Sequence, residues 1–109
     1  MTTPATPILV LTNLPDTASA EKLASYLVEE RLAACVNIMA PCTSIYQWQG
    51  KVERTTEISL FIKSTSLQYD ALERAIRQQH PYELPEIIHV SIDGGLAEYL
   101  AWLVKETSA

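Results

Sequence analysis

The eight residues His80-Pro81-Tyr82-Glu83-Leu84-Pro85-Glu86-Ile87 gather an imidazole, a phenol, two carboxylates and two prolines in one stretch. Proline fixes its own φ, lacks a backbone donor and steers the residue before it away from the helical region. These polar groups therefore ride on a stiff, extended connector. Two kinds of chemistry suit such a set. The His80 nitrogen, with the Glu83 and Glu86 oxygens, could ligate a borderline or hard divalent ion. Alternatively, Tyr82, Glu83 and Glu86 could form one wall of a polar pocket. A strong zinc or copper site would carry more His or Cys. The chain has two of each, and His89 falls inside an apolar run, where it reads as a structural residue.

Catalysis finds fewer candidates. Cys35 or Cys42 with His80 would be a nucleophile and its base, but an apolar strand context favours inert thiols. Three glycines supply no phosphate-cradling loop of the Walker or Rossmann type. No enzyme and no obligatory cofactor are expected. The cysteines fit neither a C-x-x-C motif nor a disulfide framework, and they read as reduced, small apolar residues.

The elements that must position these groups follow from periodicity. Residues 1–7 read as a short disordered lead and 8–106 as a single domain. Residues 8–11 form an apolar run suited to a strand covered on both faces. Asn13-Leu14-Pro15-Asp16 is turn chemistry, with Asp16, Thr17 or Ser19 as caps for a helix carrying Ala20, Leu23, Ala24, Leu27 and Val28 at helical spacing. Glu29, Glu30 and Arg31 read as its solvated side. Residues 35–49 are β-like, with a bulge or edge at Pro41, then a turn at Gln49-Gly50-Lys51.

Residues 52–63 alternate, with Ile58, Leu60 and Ile62 on one face and Glu57 and Lys63 on the other. Thr65-x-x-Gln68 fits a capping box for a helix that ends before Pro81. A last strand at 87–92 and a helix with the stripe Leu96, Tyr99, Leu100, Leu103 and Val104 close the chain. The order is β-α-β-β-α-β plus a C-terminal helix, an α+β, ferredoxin-like arrangement.

The hairpin between the second and third strands is too long for this domain. A dozen residues per strand makes a ribbon of roughly 40 Å, against a domain diameter of about 35 Å. Ile45, Tyr46, Trp48 and Val52 near its tip are poor residues to leave in water. Packing on a neighbouring subunit is the expected outcome; folding back at Pro41 is the alternative.

With 109 residues, 48% apolar and 19% charged, the chain is an ordinary globular length and composition. A net charge of −5 with no basic cluster argues against nucleic-acid and anionic-membrane partners. The start of the chain lacks a signal-peptide pattern and no run approaches a membrane span, so a cytoplasmic location is expected.

Several pieces in order resemble the CutA family, the divalent-cation tolerance proteins: Glu30-Arg31-Leu32-Ala33-Ala34-Cys35-Val36-Asn37-Ile38, Ser44-Ile45-Tyr46-Gln47-Trp48-Gln49-Gly50-Lys51, Glu57, the His80 segment, and Tyr99-Leu100-Ala101-Trp102. The resemblance spans residues 8–102. It implies a tight homotrimer of ferredoxin-like subunits, similar in architecture to PII signalling proteins, with hairpins reaching across to neighbours. It also implies a link to tolerance of copper and other divalent metals, with no established catalytic reaction. Copper coordination in the bacterial prototype is attributed to a first-strand cysteine and a histidine pair before Pro-Tyr. Here those positions read Thr12 and Gln79-His80, leaving His80 as the metal candidate. Cys35 matches a family cysteine; Cys42 does not.

In such a trimer Trp48 of a neighbour's hairpin would join Glu57, Lys63, Tyr82, Glu83 and Glu86 around an intersubunit cleft. That cleft would take a divalent metal such as copper or a small ligand. The alternative is a scaffold trimer or PII-like sensor in which the same charges form an ion-pair network that fixes register.

Overall fold

The computed structural model describes residues 5–108. The elements are β1 (Pro7–Leu14), α1 (Thr17–Glu29), β2 (Cys35–Ile38), β3 (Cys42–Trp48), β4 (Lys51–Thr65), α2 (Tyr69–Gln79), β5 (Ile87–Ser91) and α3 (Ala97–Glu106). Residues 1–4 of the expected lead lie outside the described residues. Pro7 belongs to β1 and pairs with Thr65, because Thr6 and Ser66 close that end of the ladder: Ser66 N–H donates to the Thr6 carbonyl at 2.8 Å and Thr6 N–H to Ser66 Oγ at 3.0 Å.

The main sheet runs β2-β4-β1-β5, with β3 continuing along β4 and every pairing antiparallel. Both crossovers, β1-α1-β2 and β4-α2-β5, skip one strand, which is the ferredoxin-like arrangement the element order predicts. Alternation decides the faces. Ile8, Val10 and Leu14 of β1 meet Ile58, Leu60 and Ile62 of β4 beneath Leu23, Leu27, Leu72 and Ile76 of the two helices. Burial of each such side chain stabilises the fold by about 1.5–3 kcal/mol. On the opposite face Ile88 and Val90 remain half exposed.

Asp16 caps α1, its carboxylate accepting from Ser19 N–H at 2.7 Å. The other end of α1 closes on Arg31, whose φ of 58° is unusual for a residue bearing a Cβ. Leu32 N–H returns to the Leu27 carbonyl and Arg31 N–H to that of Val28, a Schellman closure that favours glycine. Arg31 is not simply solvated. Its guanidinium donates to the carbonyls of Ser108 at 3.0 Å and Lys105 at 3.3 Å, and lies 3.7 Å from Glu106. The capping box expected at Thr65 does not form. Gln68 sits at the N-cap without a side-chain cap bond and instead donates to the Thr107 carbonyl at 2.6 Å. These two contacts clasp the end of α3. Of that helix's apolar stripe only Leu103 is buried; Leu96 is 71% exposed.

The hairpin does overhang. The molecule measures 48 × 24 × 24 Å, with a radius of gyration of 14.7 Å against about 13 Å for a compact domain of this size. Gln49 and Gly50, both at positive φ (51° and 81°), form its two-residue turn, whose twist suits the flanking strands. Pro41 marks a bulge, as the sequence suggests. From Ile38 to Cys42 the chain advances four residues, while β4 advances three between their partners Leu60 and Glu57. A one-residue offset reverses which side chains face which way.

Candidate functional site

The bulge positions the site. On β4, Glu57 points away from the helix-covered core. After the offset, Cys42, Ser44, Tyr46 and Trp48 share its side of the ribbon. Without the extra residue, Tyr46 and Trp48 would have turned to the other face. α2 ends at His80, which is extended at φ −77°, ψ 131°, as the following proline requires. The loop beyond it then runs alongside the ribbon.

Between loop and ribbon lies a cleft of about 900 Å³, bounded by Glu57, Trp48, Tyr46, Asn13, Tyr82, Glu83 and Glu86 among others. Of the expected cleft residues, Trp48, Glu57, Tyr82, Glu83 and Glu86 come together, and they do so within one chain. The wall includes Trp48 of the same chain, where a neighbour's was expected. Lys63 does not join them. Six residues further along β4, about 20 Å away, its ammonium lies 5.8 Å from the Tyr99 ring centroid beside α3. Equal parity put both side chains on one face but said nothing of their separation.

His80 is 8% exposed. Its Nε2 lies 2.6 Å from the Asn13 carbonyl, and its Nδ1 is 3.2 Å from Tyr82 N–H. A carbonyl only accepts and an amide only donates, so the ring is neutral with its proton on Nε2. Burial lowers its pKa, against the opposing pull of the Asn13 bond and the Glu57 charge. Both nitrogens are thus engaged with backbone, and a metal at this ring would have to displace one of these bonds. The ring also stacks against Tyr82 at 4.8 Å between centroids. His80 therefore fixes the loop to the end of β1, a role that competes with the metal ligation expected of it.

Asn13 and Ser59 were not legible as site residues, and Cys42 was legible only as a candidate nucleophile. Ser59 Oγ donates to Asn13 Oδ1 at 2.7 Å, Cys42 Sγ lies 3.7 Å from Ser59 Oγ, and Asn13 Nδ2 reaches Glu86 Oε1 at 3.5 Å. One chain of polar contacts runs from the ribbon through β1 to the loop. Only the turn chemistry at Asn13-Leu14-Pro15 hinted at its centre. The Cys42 thiol is directed to Ser59 and His80 to backbone, so the two are not set up as nucleophile and base. Cys35 and Cys42 are free, paired with Lys63 and Glu57 at separate points of β4. Thr12 faces the helix-covered core, and its Oγ1 has no hydrogen-bond partner among the described residues. His89 stacks on Tyr69 with ring centroids 4.2 Å apart and is otherwise exposed.

Glu57 is the anomaly. It is 7% exposed, yet no hydrogen bond or ion pair of standard geometry reaches its carboxylate among the described residues. The Tyr82 phenol faces it. Burial, then the hydrogen-bonding and charge influence of Glu57, with smaller contributions from Tyr46 and Asp16, push that phenol up to about 12. Tyr82 therefore keeps its proton at neutral pH. Among the described residues no three His, Cys, Asp or Glu side chains converge closely enough to hold a metal ion.

The fold and cleft define a class: an α+β, ferredoxin-like subunit with an overhanging bulged hairpin and an acidic, aromatic cleft at its root. Comparison with known proteins carries this to a family. The CutA1 divalent ion tolerance protein family matches residues 8–106, and the chain belongs to it. It is 42% identical over 96 residues to the divalent-cation tolerance protein CutA of Pectobacterium atrosepticum, covering 88% of this chain and 87% of that one. With the Thermus thermophilus protein of the same name it shares 44% over 99 residues, 91% and 96% of the two chains. The solved T. thermophilus structure superposes with a TM-score of 0.92 over 94% of this chain and 99% of that one, at 43% identity. The rice (Oryza sativa) CutA1 structure gives 0.91 at 37% identity, over 99% and 98%.

Proposed function

We propose that this chain is a non-catalytic, homotrimeric protein of divalent-cation tolerance that works in the cytoplasm by binding a ligand in the cleft between loop and hairpin. The observation that carries the reading is the cleft itself: Glu57 of β4, 7% exposed and without a cation beside it among the described residues, faces Tyr82 on the stiff connector. Burying a charge without a partner is costly, and such sites are kept where something binds. Trimerisation is supported by the overhanging ribbon, where Ile45 is 62% and Val52 66% exposed. The names of the relatives support the link to divalent cations. Copper or zinc would meet carboxylate oxygens more readily than the engaged His80 ring. No helix among the described residues is long and apolar enough to cross a membrane.

The test has two arms. Sedimentation at micromolar concentration should give three copies per particle; a stable monomer would refute the assembly. Calorimetry with copper and zinc decides whether the ligand is the ion itself: saturable binding that weakens in the Glu83→Gln, Glu86→Gln double variant would assign it to these carboxylates. Binding weaker than millimolar would remove direct metal ligation and leave a scaffold or PII-like sensor reading.

A further inference from the structure

The cleft's lining has one sign. Three carboxylates, Glu57, Glu83 and Glu86, border it, and no Lys or Arg does among the described residues. Lys51 and Arg54 stand opposite Trp48 and Ile45 in the hairpin register but do not line the cavity. The remaining contributors are aromatic faces (Trp48, Tyr46, Tyr82), apolar side chains, and neutral polar groups such as Asn13 and Gln47. An anion would meet only repulsion here. A bare metal ion would need three or more donors at one point, and no such convergence exists among the described residues. The carboxylates instead lie around a space of about 900 Å³, within the range of small-molecule pockets.

We infer that the cleft takes a low-molecular-weight organic cation, an alkylammonium whose charge is held by the buried Glu57 carboxylate and whose carbon atoms lie against Tyr82 and Tyr46. This deepens the binding reading above and rests on it. The independent observation is Glu57: 7% exposed, bordering the cavity and without a counter-charge among the described residues. An ammonium beside an aromatic face is attracted by the ring quadrupole, most strongly by Trp. A polyatomic cation satisfies both features at once, whereas a hydrated metal ion uses only the carboxylates. The Tyr82 phenol, raised by burial first and then by Glu57, keeps its proton and brings no second negative charge to the site.

The experiment titrates the full chain by isothermal calorimetry. The probes are choline, 1,4-diaminobutane, the neutral choline isostere 3,3-dimethylbutan-1-ol, sodium acetate, and zinc and copper chlorides. Expected is a saturable response to choline or to the diamine, with the neutral isostere at least about tenfold weaker. Glu57→Gln should weaken ammonium binding by about tenfold or more. Should that variant not fold, Glu83→Gln at an exposed position gives the same direction with a smaller change. Equal binding of the isostere, or no change in either Glu variant, overturns the inference. A response to zinc, copper or acetate but to neither ammonium overturns this inference alone and leaves a binding cleft standing. Silence toward every probe, together with lost heat stability in Glu57→Gln, overturns both, because Glu57 is then already paired with a neighbouring subunit's cation.

Discussion

At the Pro7 end of the sheet, Arg31 leaves α1 and donates to two carbonyls at the end of α3, with Glu106 close by. Toward the other end, Glu57 of β4 meets a cleft with no cation in it among the described residues. Arg31 sits where a helix gives way to loop, Glu57 in mid-strand where the bulge meets it. In the first, the charge is matched by acceptors, and Arg31 adopts a left-handed backbone that glycine would take more easily. In the second, the charge sits on a residue that is 7% exposed and has no counter-charge among the described residues. A completed set of contacts serves the fold, whereas an uncompleted one costs stability and points to a binding role. The contrast also bears on whether the cleft's charges act as a register-fixing network. Between Asn13, Ser59, His80 and Tyr82 the contacts are complete and structural; at Glu57 they are not.

The largest test of this contrast is His80→Ala. It strands the Asn13 carbonyl and the Tyr82 N–H and removes a buried ring, so a loss of about 2–4 kcal/mol is expected. Urea denaturation measures it, and a loss below about 1 kcal/mol would mean that His80 does not hold the loop. Next is the clasp. Arg31→Ala should cost about 1–2 kcal/mol, since it keeps the positive φ and loses the contacts. Arg31→Gly should be the milder change because glycine relieves the backbone. Proteolysis of the C-terminal helix under native conditions ranks the two; the reverse order would show that the guanidinium contacts matter little.

The pH profile separates the two ends more finely. The pKa of His80 is lowered by folding, so the unfolded chain binds the proton more readily. Its contribution is complete above about 6.5, the ordinary histidine value, and is lost as pH falls below it. Tyr82 has the opposite sense. Raised to about 12, it contributes fully below about 10, and that contribution is lost as pH rises through 12. Stability should therefore fall on both sides of a plateau. The acid-side loss between pH 7 and 5 should shrink in His80→Gln, and the last phenol to titrate by ultraviolet absorbance should disappear in Tyr82→Phe. The smallest effect is Glu57→Gln, with a melting temperature unchanged or slightly raised, because removing an unmatched buried charge relieves its desolvation. A clear drop would make Glu57 part of a structural network.

Much of the architecture was legible because it depends on short-range rules. Alternation along 52–63 separated the buried Ile58, Leu60 and Ile62 from Glu57, and Asp16 announced the α1 cap. The stiff connector was readable from its prolines. Less visible was anything that depends on a partner distant in sequence. Lys63 shares Glu57's face but not its neighbourhood. Gln68 matches a capping pattern, yet it binds Thr107, 39 residues later. Asn13 and Ser59 are ordinary polar residues until strand pairing sets them side by side.

The sequence by itself determined the element order, the core face, the site of the bulge at Pro41 and the rigid loop that carries Tyr82, Glu83 and Glu86. Those follow from backbone sterics and from apolar periodicity, which act within a few residues. Only the tertiary structure decided that the bulge turns Tyr46 and Trp48 to Glu57's side of the ribbon, and that His80 is bound at both nitrogens. It also decided that Glu57 is buried without a matching charge among the described residues. Register, and which polar groups find partners, are set by contacts between distant segments, and a linear pattern does not encode those distances.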